Sequence, residues 1–326
     1  MLTLDEFLAQ WHDDNDKVLV HTSGSTGKPK PMWVEKRRML NSARITCDFL
    51  GLKAGDTALL CMPLDYIAGK MVVVRALERK LRLISVTPSG HPLASLPSEK
   101  SGIADSELEP LTFAAMVPLQ VYNSLQVPEE REQLRQIKHL IIGGGAIDDK
   151  LARTLRQFPN AVWSTYGMTE TLSHIALRRL NGSEASEWYQ PFPSVKVSLD
   201  KDDCLMINAP LVHEGTLKTN DRAEIVPGKG FRILGRKDNV IVSGGIKIQI
   251  EEVEHALKPY LSAPFIITRR KDVKFGEAEI LLTEATDTDA VTAICRRVLP
   301  KYWIPREVRH IDHIPMTETG KPKRKV

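Results

Sequence analysis

Short, continuously apolar runs alternate with helix-like stretches through the first half of the chain, and this alternation restricts the fold more than any other feature. A run of about four to eight residues with no polar alternation suits a strand covered on both faces, the condition of a parallel strand with crossover helices. Strand candidates lie at Lys17–Thr22, Thr57–Met62, Leu81–Thr87, Thr112–Val117, His139–Gly143 and Ala161–Thr165, several of them such runs. Helical periodicity fills Glu35–Leu50, Ile67–Arg79 and Asp148–Phe158, the last opening on acidic residues that favour a helix N-terminus. The layout predicts an α/β fold.

From Pro191 the texture changes to short β-like pieces, VKVSL, CLMIN, AEIV and FRIL, separated by Pro, Gly and Asp turns. After GRKDN a second compact set follows: a helix over Ile250–Lys258, strands PFIIT and EILLT, a helix over Thr288–Leu299 and a strand REVRHI. The expected organisation is a large N-terminal α/β domain over 1–235, β-rich from 191, and a small mobile α+β domain over 236–326, with the junction near Gly235–Asn239. Pro88–Pro110, rich in Ser, Pro and Gly, reads as a loop or surface excursion without chemistry of its own.

The 326 residues carry a net charge of only +4, part of it in the C-terminal KPKRK, which reads as a solvated end. No nucleic-acid partner is expected on that balance. The four cysteines are scattered without a C-x-x-C pair, as reduced, buried thiols of a cytoplasmic protein are. Thr3 with Glu6 forms a helix-start signature in place of a secretory leader, and no apolar run is long enough to span a bilayer.

The stretch HTSGSTGKPKP, His21 to Pro31, concentrates hydroxyls, glycines and lysines with almost nothing apolar to bury. Glycines let backbone N–H groups approach an anion and the hydroxyls add donors, so a phosphate is the natural occupant. The nucleoside-triphosphatase loop G-x-x-x-x-G-K-[ST] is excluded, since Thr22 stands where its first glycine belongs and Pro29 follows Lys28. Further along come HLIIGGGAI (His139 to Ile147), STYGMTET (Ser164 to Thr171), LKTNDR (Leu217 to Arg222), LGRKDNVIVSGGIKI (Leu234 to Ile248) and PMTETGKPKR (Pro315 to Arg324).

In these motifs and their order, across nearly its whole length, the chain resembles the adenylate-forming superfamily of acyl- and aryl-CoA ligases, peptide-synthetase adenylation domains and luciferases. The resemblance implies ATP and Mg²⁺ as cofactors, with coenzyme A as co-substrate. It implies that Thr22, Ser23, Gly24, Ser25, Thr26, Gly27 and Lys28 grip the β- and γ-phosphates. Gly144, Gly145 and Ala146 would line the adenine, with Tyr166 and Gly167 beside it. Glu170 would be the magnesium carboxylate, with Thr169 next to it in the catalytic box. Asp221 would accept from the ribose hydroxyls with Arg236 nearby, Asp238 would be the hinge, and Lys321 the mobile catalytic lysine. Gly244 and Gly245 would line the thiol tunnel.

Within the superfamily, YGMTETLSHI and MPLDYIAGKMVVVRAL look most like the o-succinylbenzoate–CoA ligases of menaquinone synthesis. That likeness places Arg75, Tyr66 and Ser173 at the acid. An arginine suits a dicarboxylate, gripping one carboxyl while the other is activated. Taken without the likeness, Arg75 also fits a cation on a helix surface. His174 is a further candidate for the acid pocket.

Departures from the family pattern are Tyr66 where a histidine is usual, Asn220 inside the T-G-D box, Ile250 where a proline is usual, and a start almost at the phosphate loop in place of the usual N-terminal subdomain. The last departure is the sequence argument for a non-catalytic nucleotide-binding relative. A ligase for another acid, or one that loads a carrier-protein thiol, is also compatible with these residues. The expected partners are therefore a small carboxylic acid, ATP and CoA, with oligomeric state left open.

Overall fold

The computed structural model describes residues 2–21, 31–96, 111–145, 147–316 and 323–324. Thr22, Ser23, Gly24, Ser25, Thr26, Gly27, Lys28, Ala146 and Lys321 lie outside the described residues. The contacts divide the chain into two compact units, one of Met1–Val197, Ile207–Leu217 and Val226–Phe231, the other of Ser198–Met206, Lys218–Ile225 and Arg232–Val326.

Helix α1 (Leu4–His12) opens with a capping box: the Glu6 N–H donates to Thr3 Oγ1 while the Thr3 N–H donates to the Glu6 carboxylate. Strands β1 (Lys17–His21) and β2 (Pro31–Glu35) pair antiparallel, Lys17 opposite Glu35 and His21 opposite Pro31. In β1 only Val18 and Val20 are buried, a one-face alternation, so this first apolar run belongs to a two-stranded ribbon and not to the main sheet.

The remaining elements of the first unit are α2 (Lys36–Leu50), β3 (Thr57–Leu60), α3 (Ile67–Arg79), β4 (Arg82–Ser85), β5 (Phe113–Met116), α4 (Pro118–Gln126), α5 (Pro128–Gln136), β6 (His139–Ile142), α6 (Asp149–Leu155), β7 (Ala161–Gly167), β8 (His174–Arg179) and β9 (Gln190–Pro191). They build a seven-stranded sheet in the order β4-β3-β5-β6-β7-β8-β9. Neighbours from β4 to β7 run parallel, and β8 and β9 close one edge antiparallel. Every residue of β3 and β5 is buried, as continuous apolar strands covered on both faces require.

Further features differ from the sequence reading. Helices α4 and α5 were not expected, because α5 (PEEREQLRQ) carries almost no apolar stripe and buries only Glu130 and Leu134. Both start with proline at their first positions, where the missing N–H has no helical partner to lose. The Pro88–Pro110 excursion is anchored at its start by a short 3₁₀ turn, Pro92–Ser95, with Pro92 and Leu93 buried. Gln120 and Asn123 of α4 donate to the carbonyls of Ser89 and Gly90 and hold it down.

Strands β10 (Lys196–Leu199), β11 (Cys204–Asn208), β12 (Thr216–Val226) and β13 (Gly230–Arg236) form a four-stranded sheet in that order. In the second unit, β14 (Val240–Ser243), β15 (Ile246–Gln249), α7 (Ile250–Leu257), β16 (Phe265–Asp272), β17 (Gly276–Thr283), α8 (Thr288–Val298) and β18 (Glu307–His310) follow. The sheet order is β15-β14-β17-β16, with β18 parallel to β17. Ile241, Ile248, Val253, Ile267, Leu281 and Val291 make the core that α7 and α8 cover. The basic tail is not simply solvated: the Arg324 guanidinium forks onto both oxygens of Glu254, and its carbonyl accepts from Thr268 Oγ1. All four cysteines are free and buried. Among the described residues no helix is long and apolar enough to cross a membrane.

Candidate active site

The C-terminal ends of the parallel strands carry the glycine motifs. Beyond β6, a Cβ on Gly143 would fall 2.3 Å from Thr165 Oγ1, and Gly144 has φ +79°, a region that side chains disfavour. Gly145 lies against Pro118 at the start of α4. At the end of β7 the pairing with β8 shifts between Tyr166 and Gly167, and a Cβ on Gly167 would sit 2.2 Å from the Ser173 carbonyl oxygen. Only glycine lets the chain close back there, and the closure sets Ser173 and His174 beside the strand end. The Tyr166 ring meets Phe231 edge-on at 5.2 Å and Tyr189 at 5.9 Å.

Between β7 and β8, Thr169–Thr171 form a 3₁₀ turn, with Thr169 buried and Glu170 half-buried. Thr171 Oγ1 accepts from the Met168 N–H at 3.0 Å and lies 2.7 Å from the Ser173 carbonyl, to which it can donate. The next residue, Leu172, is buried at φ +65°, ψ −35°, a strained conformation for a leucine that the surrounding packing enforces. Among the described residues the Glu170 carboxylate has no hydrogen bond and no ion pair.

Arg75, on α3, is no surface cation. It is 2% exposed and heads the largest fully buried side chains. Its Nη2 donates to Ser173 Oγ at 2.7 Å and to Thr46 Oγ1, on α2, at 3.4 Å, and the guanidinium lies 5.9 Å from the Phe113 ring centre. Its Nε is buried and donates to nothing, and no carboxylate pairs with it among the described residues. Burial lowers its pKa to about 10, which leaves it charged at neutral pH. His174 bridges the two hydroxyls, Nδ1 3.2 Å from Ser173 Oγ and Nε2 3.0 Å from Thr46 Oγ1. Burial, and then the Arg75 cation, hold its pKa well below the usual histidine range, so the ring is neutral. Tyr66 stands at the N-cap of α3 and is 42% exposed. Thr46 was not singled out in the sequence; its only trace there is the Ser42/Thr46 spacing on an otherwise ordinary helix.

In the second unit, Asp221 lies inside strand β12. Arg236 donates from Nη1 to Asp221 at 3.2 Å and from Nη2 to Asp238 at 3.0 Å. Thr219 Oγ1 donates to the Leu205 carbonyl and accepts from the Asp221 N–H, which fixes the T-N-D box. Asp238 sits in the 3₁₀ turn Lys237–Asn239. Gly244 and Gly245, at φ +57° and +83°, are the two-residue turn between β14 and β15, where both positions need a positive φ.

Residues 7–206 match the family described as AMP-binding enzyme. The chain belongs to that family. Among curated relatives of this AMP-binding enzyme, the 2-succinylbenzoate–CoA ligase of Listeria monocytogenes serovar 1/2a is 25% identical, over 98% of this chain and 71% of the relative. The ligase of the same name from Bacillus subtilis strain 168 is 25% identical over 97% of this chain and 69% of its own length. The chain thus spans about 70% of these relatives. A solved acyl-CoA synthetase (AMP-forming)/AMP-acid ligase II-like protein from Dyadobacter fermentans is 32% identical, with a TM-score of 0.66, and the match covers 98% of this chain and 91% of that one. The o-succinylbenzoate coenzyme A synthetase of Bacillus subtilis, solved with ATP and a magnesium ion, shares the fold with a TM-score of 0.73 at 22% identity, over 94% and 68% of the two chains.

AMP-binding enzymes use ATP with Mg²⁺, and Glu170 fits the metal. A magnesium ion that bridges phosphates needs only one or two carboxylates from the protein. Among the described residues no cation pairs with the Glu170 oxygens, and no cluster of three or more potential ligands competes for the ion.

Proposed function

We propose that this ATP-dependent acid–thiol ligase activates o-succinylbenzoate and passes it to coenzyme A, as menaquinone synthesis requires. The observation that carries the reading is Arg75, a buried cation without a carboxylate partner among the described residues, held by Ser173 with its Nε uncommitted. A buried charge left unpaired is costly, and a ligand carboxylate taken up in fork geometry offsets that cost. A dicarboxylate bound by one carboxyl at Arg75 presents the other for reaction, which converts binding into orientation. The names of the curated relatives support the same acid.

In the first step a carboxylate oxygen of the acid attacks the α-phosphorus of ATP and pyrophosphate leaves. In the second, the CoA thiol attacks the acyl carbon, AMP leaves and the thiol proton is released. Two anions approach in the first step, so fixed cations favour the crowded transition state, the role this reading gives to Lys28 and Lys321. Glu170 would hold Mg²⁺, which would supply charge neutralisation on the phosphates when bound. Asp221 would accept from the ribose hydroxyls and Tyr166 would pack against the adenine. Tyr66 stands at the acid side and Gly244 and Gly245 at the thiol side in the same reading. Four free, buried cysteines suit a reducing, cytoplasmic setting.

The test is pyrophosphate release from ATP–Mg²⁺ with a panel of carboxylic acids, with and without CoA. Release with o-succinylbenzoate, and its conversion to a thioester when CoA is added, is the expected result. Turnover of a different acid alone would remove the substrate assignment, and binding of ATP without turnover of any acid would remove the ligase reading.

A further inference from the structure

We propose that Thr46 and His174 are positioning residues for Arg75, and that they set the preference for acids carrying a second, unactivated carboxylate. The inference rests on the reading that Arg75 receives that carboxylate.

One assignment of protons satisfies every hydrogen bond around Arg75 at once. Thr46 has a single hydroxyl proton, and it goes to the Ser42 carbonyl at 3.1 Å, one turn back along α2. The Thr46 oxygen is then an acceptor only, taking N–H bonds from Arg75 Nη2 and from His174 Nε2. With its proton on Nε2, the neutral imidazole has a bare Nδ1, which accepts the hydroxyl proton of Ser173. Ser173 Oγ in turn points lone pairs at Arg75 Nη2. The imidazole therefore assigns each hydroxyl its role, so that both act as acceptors toward the guanidinium.

The chemistry of this arrangement differs from that of an ion pair. A carboxylate would fix Arg75 more firmly, and it would also neutralise the charge that a substrate anion needs. Two hydroxyl acceptors hold Nη2 and leave the guanidinium its full charge and its Nε without an acceptor. All five groups, Ser42, Thr46, Arg75, Ser173 and His174, belong to one compact unit and are drawn from α2, α3, the first residue of β8 and the residue before it. Removing the Thr46 hydroxyl frees both Arg75 and the His174 ring to turn.

The experiment compares kcat and KM for o-succinylbenzoate and for its analogue in which the unactivated carboxyl is a carboxamide, in the unmodified enzyme, Thr46→Val, Thr46→Ser and His174→Asn. The expected result is a KM for the dicarboxylate raised on the order of tenfold in Thr46→Val, the weight of one hydrogen bond to a charged group. KM for the carboxamide and for ATP stays the same, and Thr46→Ser restores the original value. His174→Asn, which keeps an acceptor near Nδ1 and loses the Nε2 donor, shifts the dicarboxylate in the same direction. Equal losses for both acids, or a change in thermal midpoint without a change in acid preference, would overturn the proposal and leave a structural role. Should Thr46→Val fail to fold, His174→Asn decides between the same outcomes. If the unmodified enzyme does not distinguish the two acids, the assignment of Arg75 to the second carboxylate fails first, and the role of Thr46 and His174 falls with it.

Discussion

Replacing Arg75 by methionine separates recognition from stability. Arg75 makes two hydrogen bonds to neutral hydroxyls and none from its buried Nε. Each bond from a charged donor is worth about 1.5–3 kcal/mol. Against that, replacing a buried ionic group by an apolar side chain of similar volume commonly returns about 1–4 kcal/mol. Ser173 and Thr46 keep His174 as a partner after the change, so no hydroxyl is orphaned. The two effects offset each other to within about 2 kcal/mol, and the thermal midpoint should fall by less than ~8 °C, at roughly 2–4 °C per kcal/mol in a chain of this class. Activity should not be spared. A substrate carboxylate left in the site without its cation loses about 3–5 kcal/mol, roughly two to three and a half orders of magnitude in kcat/KM at ~1.4 kcal/mol per tenfold. Pyrophosphate release with the dicarboxylate and with its carboxamide analogue, beside thermal melting without acid, measures both quantities. A variant whose midpoint falls by ~8 °C or more while the ratio of the two acids stays constant would refute the reasoning and make Arg75 a structural cation.

Glu170→Gln should leave the thermal midpoint nearly unchanged, because its carboxylate has no protein partner among the described residues, while the Mg²⁺ concentration for half-maximal pyrophosphate release rises on the order of tenfold. Gly167→Ala should cost about 1–3 kcal/mol by denaturant titration, since its Cβ would lie 2.2 Å from the Ser173 carbonyl, and it should weaken acid binding more than ATP binding. Glu279, 2% exposed on β17 with no partner for either oxygen among the described residues, has its pKa pushed up to about 8 by burial. A raised folded pKa means that the unfolded chain gives up its proton first, so stability falls by at most ~1.4 kcal/mol per pH unit as pH rises from about 4.5 to about 8. Glu279→Gln should flatten that slope in a pH series of melting curves.

The sequence carried the parallel strands because they are buried on both faces and so read as unbroken apolar runs, as TALL and FAAM do in β3 and β5. Helix α5 escaped because its contribution to the core is small and its surface is charged, a pattern that periodicity cannot tell from a loop. The glycines of the GGG and YG motifs were legible as motifs, and their physical reason came with the structure: Gly143 and Gly167 are excluded from bearing a side chain by Thr165 and Ser173. Arg75 was visible as a residue type, yet its environment was not. Its position in α3 fits a surface cation equally well until α2 and the start of β8 are placed around it. Thr46 has no motif at all, and only the fold joins it to a serine and a histidine distant in sequence. Local chemistry is written in short spacings, whereas a buried polar network depends on contacts between elements far apart in the chain.

Arg75 and Glu279 show why burial alone does not mark a recognition site. Both are buried ionisable groups without an oppositely charged partner among the described residues. The glutamate meets the cost of burial by staying protonated at neutral pH, since its pKa is pushed up to about 8. It then carries no charge for a ligand to use. The arginine has no such escape, because a pKa lowered to about 10 still leaves it cationic. Its charge persists in a low-dielectric setting where an approaching anion feels it more strongly than at the surface. The neutral acceptors Ser173 and Thr46 hold it in place without discharging it. A permanent buried charge, fixed by uncharged partners, would store an electrostatic cost that a ligand carboxylate relieves, and this physical property supports the proposal that Arg75 takes the acid.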